Sequence, residues 1–183
     1  MKPIMFSKEM VEQILKGKKT QTRRQIKGID YNGLTKIQLI NKLIENYYII
    51  DLKYKNKRET VGCFCRYNSV DNLLYVKETY AIQNNKIIYE AGQGLQTNIW
   101  QNKLFMSKKY SRIHLKISHI GIDLLNNITL EDARSEGFTD KISFLKYVAK
   151  IKNINYDGIV DSTGFLFMPV WVIKFEIDKT IYK

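Results

Sequence analysis

The spacing of the apolar residues changes from a helical period to a strand period and back along the chain. Helical spacing covers residues 7–17 and 35–46, and later two segments that follow the N-cap residues Thr129 and Asp140. Short runs rich in Tyr, Val and Ile lie between turn-forming residues, at 47–54, 61–67, 73–81, 86–90, 112–123 and 170–178. This order predicts one α+β domain over residues 1–183, built around a small, curved, mixed sheet or barrel.

Residues at the ends of these segments support the assignment. Ser7 is a suitable N-cap for the first helix, and Gly17 is placed to end it in the left-handed conformation. Asn84 and Asn85 predict a hairpin turn because asparagine tolerates positive φ. The last helix has a predicted apolar stripe formed by Ile142, Leu145, Val148 and Ala149. The last strand alternates as a half-buried strand does, with apolar positions at Trp171, Ile173, Phe175 and Ile177.

The positive charge is concentrated in the first two thirds of the chain. The net charge is +12, and residues 1–120 hold 22 Lys and Arg against 9 Asp and Glu, whereas residues 121–183 hold 8 against 9. A basic face attracts phosphates because condensed counterions are released on binding. The charge therefore favours a nucleic acid, or a fragment of one, as the partner.

Several other classes of protein are disfavoured. No apolar run approaches the roughly 20 residues that cross a bilayer, and the N-terminus lacks a signal peptide, so we expect a cytoplasmic protein without a membrane partner. His114 and His119 lie on opposite faces of one predicted strand, and Cys63 and Cys65 do the same. We therefore predict no metal site, no disulfide and no cofactor.

The segment 17–24 (GKKTQTRR) is the most unusual part of the sequence. It places four cations and two threonine hydroxyls directly after a helix end. Crowding by Lys18, Arg23 and Arg24 disfavours the charged form of Lys19, so we expect its pKa to fall. A partly deprotonated lysine can act as a base toward a hydroxyl such as that of Thr22. A solvated basic turn is the alternative interpretation.

This segment resembles the G-x-K-x-x-x-x-R signature of the ASCH domain. Further blocks at 1–7, 74–80, 106–113, 128–137 and 170–175 are similar, in the same order, to the longer phage and prophage members of that family. The resemblance implies a PUA-like fold, a small, partly open β-barrel of mixed strands flanked by helices. Relative to small family members, the chain has extra material near residues 30–60, 85–108 and 138–168.

The resemblance also implies a function. The family is associated with RNA or modified nucleobases, and small members include an amidohydrolase that acts on N4-acetylcytidine through a Lys, a Thr and a Glu. By motif these correspond to Lys19, Thr22 and Glu136, with Thr22 as nucleophile, Lys19 as its activator and Glu136 as proton donor or acceptor. Since Lys19 and Thr22 are three residues apart, they converge only if the loop turns or bulges.

Other residues are candidates for contacting a nucleic acid. Lys18, Arg23 and Arg24 belong to the signature segment, and Lys109 lies in a similar basic block. Glu78 is predicted to pair with Arg24 or to bond a base edge, or else to be a plain outward strand residue. Tyr110 and Arg112 are expected on one strand face, as a platform for a base and a phosphate or as an ordinary surface pair.

Three functions follow from the sequence. The first is binding of RNA, or of a modified nucleoside or nucleotide, in a basic cleft. The second is hydrolysis of an N4-acylated cytidine, or cleavage of RNA. The third is a phage-derived protein-interaction module.

Overall fold

The structure is a computed structural model that describes residues 1–26, 65–67, 70–92, 97, 99–156 and 165–179. The helix predicted at 35–46, the strand at 47–54, most of the strand at 61–67, and Cys63 lie outside the described residues. Cys65 is described and buried.

Five strands form the central sheet, in the spatial order β1-β3-β6-β7-β2, and two more form a separate hairpin. Their bounds are β1 Lys2–Met5, β2 Gln21–Gln25, β3 Leu73–Lys77, β4 Tyr80–Gln83, β5 Lys86–Tyr89, β6 His114–Leu124 and β7 Pro169–Ile177. The pair β1–β3 is parallel and the other neighbours are antiparallel. The α+β class with mixed strands is therefore confirmed.

The predicted barrel is not closed among the described residues. Strands β1 and β2 are the two edges of the sheet, and no backbone ladder joins them there. The side chain of Arg24 bridges these edges, because its guanidinium donates to the Met5 carbonyl at 2.9 Å. The sheet is thus an open one whose edges approach each other beside the candidate site.

Three helices are described: α1 Lys8–Leu15, α2 Leu130–Ser135 and α3 Lys141–Lys152. Thr129 and Asp132 form a complete capping box at the start of α2, and the Asp140 carboxylate accepts from the Ser143 amide at 2.8 Å. Both predicted caps are confirmed, whereas Ser7 begins α1 without a side-chain capping bond. Within the described residues no helix combines the length and apolarity needed to cross a membrane.

Four local predictions are wrong. The bulge between Ile117 and His119 shifts the register of β6, so that His114 and His119 fall on one face of the strand and not on opposite faces. The run at 73–81 is two strands, because the chain leaves the sheet at Glu78 and Thr79. Tyr110 lies in a short 3₁₀ helix, Lys108–Tyr110, and not on a strand face shared with Arg112. Ile142 is 51% exposed, and the buried stripe of α3 consists instead of Phe144, Leu145 and Ala149.

Strand β7 separates two hydrophobic clusters. Trp171, Ile173 and Phe175 pack in the larger cluster, with α1 and the neighbouring strands. Val170 and Val172 pack in the second cluster, with α2 and α3. The first half of β7 is therefore buried on both faces, where the alternation predicted a half-buried strand, because the helices near its N-terminal half cover the second face.

Candidate active site

A pocket of about 400 Å³ lies between the start of β2, the end of β1 and helix α3. Lys19, Thr22 and Glu136 all line it, together with Arg23 and Arg24. The rest of its wall is largely apolar and aromatic, and includes Phe6, Met10, Leu125, Phe138, Phe144, Tyr147, Val148, Ile151, Met168 and Val170. The basic segment therefore faces a concavity.

The end of α1 turns Lys19 inward. Gly17 has a φ of +69°, a conformation that costs glycine little, and the amides of Lys18 and Lys19 both donate to the Gln13 carbonyl. The Thr20 amide then donates to the Ser135 carbonyl at 2.8 Å, which ties this loop to α2. As a result Lys18 is exposed and does not line the pocket, whereas Lys19 is 4% exposed.

Lys19 and Glu136 form a buried ion pair. The Lys19 Nζ donates to the Glu136 Oε2 and to the Glu136 carbonyl, each at 2.8 Å. Glu136 is the C-cap residue directly after α2, and the turn that follows needs Gly137, whose φ is +91° and whose missing Cβ would lie 3.1 Å from Gln13. The packing of α1 against this turn thus fixes the carboxylate.

Burial lowers the pKa of the Lys19 amine, because it disfavours the ammonium form. Glu136 opposes the shift through charge and hydrogen bonding, and Arg24 and Arg23 add smaller lowering contributions. The direction agrees with the prediction, but its main cause is burial and not crowding by neighbouring cations. The amine is therefore nearer to the neutral form that a base requires.

Arg23 lies among carboxylates. Its side chain is 2% exposed, and its guanidinium lies 3.1 Å from an Asp132 oxygen and 3.4 Å from Glu136 Oε1. Burial alone would raise the pKa of Asp132, but hydrogen bonds from the Thr129 amide and hydroxyl and from Gln21, with the Arg23 charge, lower it to about 2. Arg23 therefore lies between the carboxylates of Asp132 and Glu136, and it also lines the pocket.

Thr22 lies on β2 opposite Ile173 and is 2% exposed. Lys19 precedes the first residue of β2, so the two-residue period of a strand does not separate these side chains, and both line the same pocket. No hydrogen bond to another described residue engages the Thr22 hydroxyl. It is thus available to a molecule in the pocket.

Arg24 lies close to the Phe6 ring and lines the pocket. Its guanidinium carbon is 5.1 Å from the centroid of the Phe6 ring, and the Lys19 Nζ is 5.6 Å from the same centroid. Lys103 donates to the Phe6 carbonyl at 3.0 Å and also lines the pocket. Three cations therefore contact Phe6: Lys19 and Arg24 lie against its ring, and Lys103 donates to its carbonyl.

The remaining predicted residues form a separate cluster beside the hairpin and do not line the pocket. Arg112 makes a two-point contact with Glu78, at 2.9 and 2.8 Å, and lies 4.1 Å from the Tyr89 ring centroid. Glu78 thus pairs with Arg112 and not with Arg24. Lys109 lies over the Tyr110 ring, 4.8 Å from its centroid.

Sequence reasoning missed some members of the site. Asp132 was recognised only as a helix cap, and Gln21, which donates to its carboxylate at 3.1 Å, carried no signal. The aromatic residues Phe6, Phe138 and Tyr147 are indistinguishable from core residues in the sequence. No group of three or more His, Cys, Asp or Glu side chains among the described residues is arranged to hold a metal ion.

No family model matches the sequence, and no curated protein matches it. Among solved structures the chain matches protein EF3133 from Enterococcus faecalis V583 at 14% identity and a TM-score of 0.44, over 97% of this chain and 76% of that one. It also matches the ASCH domain from Lactobacillus crispatus JV V101 at 13% identity and a TM-score of 0.37, over 92% and 69%. The second match is a solved member of the family that the motifs resemble, and the likeness concerns the fold alone.

Proposed function

We propose that this protein hydrolyses an acyl amide on the base of a nucleoside, with N4-acylated cytidine as the substrate class. One observation carries the proposal. The buried Lys19 amine contacts the Glu136 carboxylate at 2.8 Å, in a pocket that Thr22 also lines. A nucleophile, a base of lowered pKa and a carboxylate that orients it are the parts that covalent amide hydrolysis requires.

The proposed reaction has two stages. In the first, neutral Lys19 takes the Thr22 proton while the Thr22 oxygen attacks the acyl carbonyl. The C–N bond then breaks, the base leaves as its free amine with a proton returned through the Lys19–Glu136 pair, and the acyl group remains as an ester on Thr22. In the second stage water attacks the ester, releases the carboxylic acid and restores the Thr22 hydroxyl.

The size and walls of the pocket support a substrate of this kind. A volume of about 400 Å³ lies in the usual range for small-molecule sites. Phe6, Phe138 and Tyr147 provide aromatic surface for a base, and Arg24, Lys103 and Lys152 provide cations for a phosphate or a sugar oxygen.

The test compares adjacent lysines. Purified protein is incubated with N4-acetylcytidine, and release of cytidine and acetate is followed by liquid chromatography for the wild type, Lys19→Ala and Lys18→Ala. We expect turnover by the wild type and by Lys18→Ala, because Lys18 is exposed outside the pocket, and a loss of at least about 100-fold in Lys19→Ala. Circular dichroism checks that each variant is folded. Absence of turnover by the wild type, or equal turnover by Lys19→Ala, would contradict the proposal.

The same pocket supports a second candidate, binding of RNA without catalysis. The observation that favours it is the cationic lining of Arg24, Lys103 and Lys152 in a chain of net charge +12. Affinity should then fall steeply with salt and with reversal of Arg24, whereas Lys19→Ala should bind as the wild type does. The RNA-cleavage and protein-interaction alternatives stay predictions from the sequence.

A further inference from the structure

We infer that Phe105 stacks on the base next to the one in the pocket, so that the protein acts on a nucleotide within single-stranded RNA as well as on the free nucleoside. This inference rests on the proposed function. It concerns a surface outside the pocket, and Phe105 does not line the reactive site.

Phe105 is the most exposed large apolar side chain among the described residues, at 75%. Its backbone is nevertheless well fixed. The Asn102 side chain accepts from the Leu104 amide at 2.9 Å, and the Asn102 carbonyl accepts from the Phe105 amide at 3.0 Å. The next residue, Met106, is 1% exposed and anchors the turn. A fixed turn that presents a bare aromatic ring to solvent has the form of a stacking platform.

The platform lies beside the pocket. Phe105 ends the short 3₁₀ helix that begins at Lys103, and Lys103 both lines the pocket and donates to the Phe6 carbonyl at 3.0 Å. Two residues span at most about 7 Å of chain, which is about the distance between consecutive nucleotides in an extended strand. A base in the pocket would therefore place its neighbour within reach of the Phe105 ring.

The charge around the platform fits a polyanion. Residues 91–122 contain no Asp or Glu, and Lys103, Lys108 and Lys109 lie within four residues of Phe105 in the chain, whereas Arg112 and Lys116 are paired with Glu78 and Asp71. The Lys77 amine donates to the Leu104 carbonyl and adds a cation at the same turn. An exposed aromatic ring within an acid-free basic segment matches the combination of base stacking and phosphate attraction that binds single strands. A docking surface for an apolar protein partner would not require these cations.

The experiment separates RNA from free nucleoside. Fluorescence anisotropy measures the affinity of the wild type, Phe105→Ala, Phe105→Trp and Leu104→Ala for a labelled seven-nucleotide RNA with one central N4-acetylcytidine. Hydrolysis of free N4-acetylcytidine is measured for the same proteins. Leu104 is the matched control because it is an exposed apolar neighbour, at 55%, without an aromatic ring.

We expect Phe105→Ala to weaken RNA binding about 5- to 150-fold, Phe105→Trp to preserve it, and Leu104→Ala to change it little. Kinetics on the free nucleoside should be unchanged in all three variants. Equal RNA affinity of Phe105→Ala and the wild type would overturn the inference even if the nucleoside is hydrolysed. Phe105-dependent RNA binding without hydrolysis would support the RNA surface and refute only the proposed reaction.

Discussion

Lys18 and Lys19 are neighbours in the chain and lie in opposite environments. The backbone amides of both residues donate hydrogen bonds to the Gln13 carbonyl. The resulting turn directs the Lys18 side chain to solvent and the Lys19 side chain to Glu136. Because the buried Lys19 amine has lost most of its hydration, the Glu136 carboxylate offsets the free-energy cost of burying it. A buried ion pair of this kind contributes little to stability, and such pairs are common at reactive sites.

The lowered pKa of Lys19 predicts the pH dependence of hydrolysis. Since the neutral amine is the active form, kcat/KM should rise with pH and level off at a pH below the ordinary lysine pKa of about 10.4. A rate profile between pH 6 and 10 tests this. The Lys19→Arg variant, which keeps the charge but does not deprotonate, should show no rising limb and little activity. A wild-type profile without a rising limb in this range would contradict the role of Lys19 as base.

Arg23 and Arg24, like Lys18 and Lys19, are neighbours of one charge that differ in burial, so their substitutions can be compared directly. Arg23→Met removes the cation from the buried Glu136 and Asp132, and we expect the free energy of unfolding to fall by about 3 to 5 kcal/mol. Arg24→Met should cost much less, because Arg24 is only half-buried and donates to one backbone carbonyl. Urea denaturation measures both. Equal losses would show that Arg23 does not have the structural role assigned to it.

At this scale the sequence predicts residue types better than residue roles. The motif marked Lys19, Thr22 and Glu136, and the structure brings all three to one pocket. It did not separate Arg23 from Arg24, because burial depends on the position of α2, which is more than 100 residues away in the chain. Glu78 was assigned to the wrong partner for the same reason, since its contact with Arg112 depends on how the chain leaves β3.

Helix α2 is the element that connects fold and site. Its capping box fixes Asp132, the Asp132 carboxylate accepts from Gln21 and lies beside Arg23, and its C-cap residue is Glu136. A helix of six residues has little stability of its own, so its caps and its contacts with β2 determine where these side chains lie.

The N-cap of α2 therefore affects both stability and activity. Thr129→Ala removes the hydroxyl that accepts from the Asp132 amide at 3.0 Å, and we expect a loss of about 1 kcal/mol in the free energy of unfolding together with lower turnover. Thr139→Ala is the control for the loss of a threonine hydroxyl away from α2, because Thr139 caps no helix and its hydroxyl donates to the Asp140 carboxylate at the start of α3. Denaturation and hydrolysis assays compare the two. Unchanged turnover in a destabilised Thr129→Ala would indicate that α2 does not position the site.

The elements themselves were largely predictable where local chemistry determines them. Gly17 and Gly137 end helices at positive φ, and Asn84 and Asn85 form the hairpin turn at φ of 51° and 58°. Tertiary contacts, and not the spacing of apolar residues, determined two features that the sequence did not predict. The break at Glu78 follows from its contacts with Arg112 and Met106, and the exposure of Ile142 from the packing of α3 through Phe144.

At the scale of the whole molecule, an open sheet and the loops at its edges create the concavity. The class of fold followed from the order of the elements, but the absence of closure among the described residues did not, because strand order depends on long-range pairing. The position of the pocket was likewise not predictable, since its aromatic wall combines Phe6, directly after β1, with residues in and just before α3, which are far apart in the sequence. Among the sequence features, the basic segment 17–24 indicated where the site lies, because four of its residues line the pocket.

The most direct test of the account is the turnover of N4-acetylcytidine by Lys19→Ala, Thr22→Val and the double variant. If the two residues act as one reactive group, each single substitution should reduce kcat about 100- to 10,000-fold, and the double variant should lose no more than the worse single one. Independent losses that multiply would contradict the joint action of Lys19 and Thr22, and single variants that turn over at the wild-type rate would contradict the claim that this pocket is an active site.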